Sequence, residues 1–242
     1  MSALRFFVPP SAIHKGEVHF PAEIARQMKH VLRLQSGTVL TVLDGSGQEY
    51  AAELRVLSSQ HATAFITDSS PNPREPRTHL TLFQGLLKKD KFEWLLQKGT
   101  ELGVSAFVPV QMARSVADAV SDSKFERWER IAQEAAEQCQ RGKIPPIGEV
   151  LTFAEMCATW QGFDAVLIPS LKEDSRKPLA LPLPQGGRIG VVVGAEGGFD
   201  PAELALAQQA GAIPITLGVR TLRAETAALA ACTLVLAACG EL

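Results

Sequence analysis

The chain has 242 residues, 46% of them hydrophobic and 21% charged, enough to bury one good core and a smaller second one. Its 24 basic and 26 acidic residues leave a formal net charge of −2, which excludes an overall pull toward nucleic acid or an anionic membrane and confines any RNA contact to a local patch. Four cysteines without C-x-x-C spacing, no run of eighteen apolar residues and no export signal at the amino terminus read as a cytoplasmic protein with neither a disulfide framework nor a membrane span.

Residues 5–8 and 17–20 are predicted strands, followed by a helix over 22–34 with apolar Ile24, Met28, Val31 and Leu32. Strands over 38–43 and 48–57 flank Asp44-Gly45-Ser46-Gly47, whose glycines accept the positive φ of a hairpin turn, and 61–67 supplies one more strand. Pro71, Pro73 and Pro76 can continue neither a helix nor a central strand. The expected division is therefore a small β-rich domain, residues 1–72, and a second domain, residues 73–242.

Beyond that cut the pattern alternates. Strands are predicted over 80–84, 106–110, 165–168, 189–193 and 213–217, and helices over 89–102, 124–140, 201–210 and 224–238. Such alternation implies crossover connections and an α/β domain with a parallel sheet covered on both faces, whose ligands sit at the carboxyl ends of the strands. Two glycine turns fall at such ends.

The first turn, Gly194-Ala195-Glu196-Gly197-Gly198-Phe199, matches neither G-x-G-x-x-G nor G-x-x-x-x-G-K-S/T. Glu196 would repel a pyrophosphate at the helix start but suits hydroxyls, amines or a cation. The plain alternative is a strand-to-helix turn in which Asp200 and Glu203 make a capping box around Pro201. In the second turn, after Leu217-Gly218, Arg220 and Arg223 bracket Thr221-Leu222, and Glu225 enters a helix apolar on every side. That helix packs deep in the domain or against another subunit. Charges at its rim face a ligand or pair with each other, Arg223 with Glu225.

Together, Gly194–Phe199 and the run Leu217-Gly218-Val219-Arg220-Thr221-Leu222-Arg223-Ala224-Glu225-Thr226-Ala227 resemble the signature of the RsmE family of ribosomal RNA methyltransferases, members of the trefoil-knotted SPOUT class. The resemblance extends in the same order to H-V-L-R at 30–33, K-G-T-E-L-G-V at 98–104, Pro109 with Arg114-Ser115-Val116, and E-A-A-E-Q-C-Q-R at 134–141. Ala195 stands where the family usually has proline, and Thr221 where an aliphatic residue is usual.

The resemblance implies a knotted SPOUT-type α/β methyltransferase domain behind a PUA-like RNA-binding domain. It further implies S-adenosylmethionine as cofactor, no metal, a homodimer, and methylation at N3 of a uridine in 16S ribosomal RNA, free or in the 30S particle. The cofactor would lie among Leu167, Ile168, Pro169, Gly194, Glu196, Gly197, Gly198, Leu217, Gly218 and Leu222, where glycines let the backbone approach closely. Arg223 would stabilise the uracil anion or orient the substrate, with Glu225 as the weaker candidate for proton acceptor. His30, Arg33, Lys88, Arg114 and Arg141 are the RNA-contact candidates.

Other chemistries fit poorly. No histidine follows His79, so neither a Ser-His-Asp triad nor a Cys/His zinc site suits the large domain. Lys88, Lys89 and Lys91 open a helix and read as an RNA contact or a solvated face, and His30 with Arg33 as a phosphate contact or the polar side of a helix. Phe92, Trp94 and Trp128 read as core. The alternatives to the leading function are a related methyltransferase acting on transfer RNA and a non-enzymatic RNA- or ribosome-binding factor.

Overall fold

The computed structural model describes residues 4–115, 120–170 and 175–242, so Val116 lies outside the described residues. Contacts divide the chain into two compact units: residues up to Glu75 together with Ala136–Ile144, and the described residues of 76–135 and 145–242.

The first unit is a six-stranded sheet of β1 (Arg5–Phe7), β2 (Ile13–His14), β3 (Glu17–Phe20), β4 (Val39–Leu43), β5 (Gln48–Leu57) and β6 (Ala62–Pro71), in the order β1-β4-β5-β6-β3-β2. The β1–β4 pair is parallel and the others are antiparallel. Gly45 and Gly47 take φ of 80° and 92° in the turn that joins β4 to β5. The two-residue β2 is too short to show periodicity, which is why the sequence did not announce it.

The helix expected over 22–34 splits into α1 (Ala22–Arg26) and a π-turn over Gln27–Val31, and Arg33 takes a φ of 52° that no α-helix accommodates. Ala25 and Met28 enter the core with Phe6, Val18, Phe20 and Leu54. Val31 and Leu32, expected beside them, are exposed. The wider π-turn rotates later side chains off the apolar stripe.

Phe6 and Val42 join that core, whereas Phe7 and Leu43 turn to the opposite face of the sheet and meet Ala136 and Ile144. A sheet with an apolar patch on its second face needs a cover, and residues 136–144 supply it. Polar contacts fix the cover. Arg5 pairs with Glu49, and the Asn72 amide donates to Glu49 and to the Gln140 carbonyl at 3.0 Å. Glu75 accepts from Arg141 Nη2 at 3.0 Å and Nε at 3.3 Å, and from the backbone N–H groups of Gly142 and Lys143 at 2.8 and 2.9 Å. Arg141, expected to touch RNA, has a side chain only 5% exposed that donates to Glu75. Asn72 and Glu75 also draw the unit past the expected cut at residue 72.

The second unit is a wholly parallel sheet of β7 (His79–Gly85), β8 (Ala106–Gln111), β9 (Leu151–Thr152), β10 (Ala165–Pro169), β11 (Arg188–Val193) and β12 (Ile213–Ile215), in the order β12-β10-β11-β7-β8-β9. Its helices are α2 (Lys91–Leu102), α3 (Asp122–Gln138), α4 (Phe153–Ala158), α5 (Pro201–Gln209) and α6 (Ala224–Ala238), of which α3 runs at its end into the segment of the first unit. Helix α6 packs on α2, β7 and β11, and α4 on α5 and β8. Neither β9 nor α4 was expected from periodicity, although Thr152 and Glu155 form the capping box that their T-x-x-E spacing encodes.

Phe92 and the fully buried Trp128 stack with ring centroids 4.3 Å apart. Trp94, expected in the core with them, is 45% exposed. Two residues along a helix turn through about 200°, so Trp94 and Phe92 cannot share a face. The four cysteines form no disulfide, and Cys157, Cys232 and Cys239 are buried. No helix among the described residues is long and apolar enough to cross a membrane.

Candidate active site

Strand order places a topological switch in the second unit. From β7 the chain steps outward through β8 and β9, then returns to build β10, β11 and β12 on the other side, so β7 and β11 are neighbours with opposite onward paths. Backbones converge where these two strands end. A Cβ on Gly85 would lie 2.5 Å from the Ala195 nitrogen and 3.0 Å from the Gly194 carbonyl carbon. Gln84, fully buried, donates its amide to the Gly85 and Gly194 carbonyls at 3.0 and 3.1 Å and fixes the start of the first glycine turn.

Beyond the ends of β10, β11 and β12 lies a cavity of about 680 Å³, in the size range of small-molecule sites. The two glycine turns form its walls, Val193, Phe199 and Leu222 give it apolar surface, and Gly198 and Gly218 take φ of 69° and 103°. Replacing Gly85 with alanine must push the first turn out of register. The expected result is at least a ten-fold loss of ligand affinity by calorimetry together with a lowered melting temperature, since overpacking a buried site costs about 1–3 kcal/mol; an unaltered affinity would refute the close-approach role.

Glu196 is the cavity's carboxylate. Burial alone would push its carboxyl up, but hydrogen bonds from its own backbone N–H, the Lys88 N–H at 3.2 Å and the Lys91 ammonium at 3.1 Å hold it below the ordinary range. Asp200 and Glu203 do form the capping box of α5. The plain reading of this turn is thus realised by Asp200 and Glu203, and Glu196 is a different residue that lines the cavity. Glu203 additionally accepts from the Ala113 N–H at 2.8 Å, and Arg114 reaches the Gly197 carbonyl at 3.4 Å and Asp200 at 3.5 Å.

In the second turn Arg220 and Arg223 are exposed and line the cavity, while Val219 between them and the strand end is 93% exposed and does not line it. Glu225 does not pair with Arg223. Its carboxylate lies 3.8 Å from Lys91, its Oε2 is buried without a hydrogen bond, and it is not among the lining residues. A base must reach the proton it removes, and the buried oxygen does not open to the cavity.

Of the expected cofactor residues, Pro169, Gly194, Glu196, Gly197, Gly198, Leu217, Gly218 and Leu222 line the cavity together with Arg223. Leu167 and Ile168 do not: they lie in β10, which is paired on both sides, and are buried in the sheet. Lys91 was read only as part of a basic run, yet it lines the cavity. Nothing in the local sequence marks it, because its partners lie more than a hundred residues away. Lys88 and Arg114 are exposed in the second unit, and His30 and Arg33 in the first. Among the described residues no group of three or more His, Cys, Asp or Glu side chains is placed to hold a metal ion.

Residues 73–236 match the model of an RNA methyltransferase domain, and residues 21–67 that of an RNA methyltransferase PUA domain. The chain is 33% identical to ribosomal RNA small subunit methyltransferase E of Bacillus subtilis over 91% of its own length and 87% of the relative's. It is 34% identical to the protein of that name from Synechocystis, over 93% and 74%. The structure of a ribosomal RNA small subunit methyltransferase E from Neisseria gonorrhoeae bound to S-adenosyl methionine superposes with a TM-score of 0.88 at 31% identity, covering 97% of both chains.

Proposed function

The chain belongs to the ribosomal RNA small subunit methyltransferase E family, and from that membership we propose that it transfers the methyl group of S-adenosylmethionine to N3 of a uridine in 16S ribosomal RNA. The observation that carries the reading is the glycine-walled cavity beyond the carboxyl ends of β10, β11 and β12, with Arg220 and Arg223 exposed at its rim. Its chemistry fits that cofactor. The walls offer backbone polar groups for an adenine edge, apolar side chains for its faces, and a carboxylate compatible with positive centres but hostile to a phosphate. When bound, S-adenosylmethionine supplies an activated methyl group.

The protein's work is then to orient the uracil and to stabilise charge as N3 gives up its proton. Arg223, exposed on the rim, is the group we assign to the developing anion on the uracil carbonyls. Arg220 is a second cation within the same turn. His30 and Arg33 are assigned to phosphate contacts of the amino-terminal PUA-like domain, taken as residues 1–72 ahead of a knotted methyltransferase domain of residues 73–242; Lys88 and Arg114 are assigned to contacts near the catalytic cavity.

The reading includes a homodimer working in the cytoplasm on the RNA or the 30S particle. One stripe of α6, Ala228, Ala231, Cys232, Val235 and Leu236, is buried, while Leu229, Ala230, Thr233 and Leu234 are partly exposed. Apolar surface of that kind is what a second copy would complete.

The test is methyl transfer from labelled S-adenosylmethionine to 30S particles, naked 16S RNA or transfer RNA from cells lacking the protein, with the product identified by nucleoside mass spectrometry. Label in 3-methyluridine of 16S RNA is expected. Label confined to transfer RNA would replace the substrate, and cofactor binding without transfer to any of the three would favour a non-enzymatic RNA-binding role.

A further inference from the structure

Lys91 sits where helix physics disfavours it. It is the first residue of α2, a twelve-residue helix whose amino-terminal dipole repels a cation, and Asp90 before it makes no side-chain cap. Two carboxylates offset that placement. Its Nζ lies 3.1 Å from Glu196 in the first cavity turn and 3.8 Å from Glu225 in the first turn of α6. These three residues come from distant parts of the sequence, and the two glutamates share no other cation among the ion pairs of the described residues. Glu225 Oε2 is buried with no hydrogen bond, so the ammonium is its compensation.

We propose that Lys91 is a positioning residue for the cofactor: its ammonium ties the two cavity turns together by acting as the common counter-ion of Glu196 and Glu225, an assignment that rests on the methyl-transfer reading above. Without it, two like charges face each other across the junction of the turns, and repulsion either swings Glu196 away or forces a proton onto one carboxyl. Either change disorders the wall that must close on the ligand.

Lys91 from α2 pairs with Glu196 and with Glu225 from α6, and Arg220 and Arg223 on the second turn line the same cavity as Glu196. Burial opposes ionisation of Glu196, and the hydrogen bonds led by its own N–H, together with Lys91, outweigh it. In the wild type the carboxylate therefore persists into mildly acidic solution. Once Lys91 is gone burial is less opposed, the carboxyl rises, and the site loses its charge as pH falls.

The test is calorimetric titration of S-adenosylmethionine into the full-length chain between about pH 5.5 and 8, for wild type, Lys91→Met and Lys91→Arg. At pH 7.5 the Met variant is expected to bind at least ten-fold more weakly, with a further loss on acidification that the wild type lacks, while the Arg variant stays within about three-fold of wild type and shows a flat profile. Lys91→Gln reads the same way should the Met variant fail to fold. Unchanged or tighter binding in Met or Gln would overturn the proposal, since it would make Lys91 a bystander or a cation competing with the ligand's own positive charge; so would equal loss in Met and Arg with no pH dependence. Failure of the wild type to bind S-adenosylmethionine would overturn the methyl-transfer reading itself, and this proposal with it.

Discussion

Replacing Arg223 with alanine is expected to lower kcat about 100- to 1000-fold while the affinity for S-adenosylmethionine stays within about five-fold of wild type. The magnitude is that of removing one donor aimed at a developing anion. Arg223 is free to play that part because Glu225, the acidic neighbour on its own turn, faces Lys91 instead. Its backbone is also well placed, since its carbonyl accepts the Ala227 N–H at 2.8 Å and so fixes the residue at the mouth of α6. Single-turnover methyl transfer to 16S RNA separates the outcomes. A rate within ten-fold of wild type would remove Arg223 from the chemistry, and a fall in cofactor affinity matching the fall in rate would make it a binding residue.

Replacing Glu75 with alanine is expected to cost about 3–5 kcal/mol of stability, the penalty for removing one member of a buried ion pair. The Arg141 side chain is 5% exposed and donates to Glu75, as do the N–H groups of Gly142 and Lys143. A control shows why burial decides the size. Arg127 lies 2.7 Å from Glu93, a shorter ion pair, but its side chain is 59% exposed, and such pairs contribute about 0.2–1 kcal/mol. Urea unfolding of Glu75→Ala and Glu93→Ala should therefore separate by several-fold in the free energy lost. A loss below about 1 kcal/mol for Glu75→Ala would mean that water replaces the carboxylate and that residues 136–144 are not held by it.

Both predictions turn on where charges end up, which is the part of the site the sequence carried least well. Arg141 and Arg223 look alike in the chain: each is an arginine near a glutamate beside a helix. Burial against Glu75 makes the first structural, and exposure at a cavity rim leaves the second available for chemistry. Lys91 shows the same limit from the other side, since a basic run at a helix start cannot reveal that one member faces Glu196 and Glu225.

Local patterns were legible because their causes are local. The apolar run into Gly194, the glycine turn over 44–47, the Asp200–Glu203 capping box and the apolar α6 each rest on residues within one turn or strand of each other, so spacing alone determined them. The alternation of strands and helices likewise determined an α/β unit with its ligand at the strand ends, and the residues of the two glycine turns determined the family resemblance. The tertiary structure decided what long-range contacts control: the β7–β11 switch that brings Gly85 against Ala195, the second sheet face that recruits residues 136–144, the π-turn that exposes Val31, and the ammonium shared by two distant glutamates. Each depends on atoms brought together only when loops close over tens of residues, and no periodicity in the chain records which partner a side chain will meet.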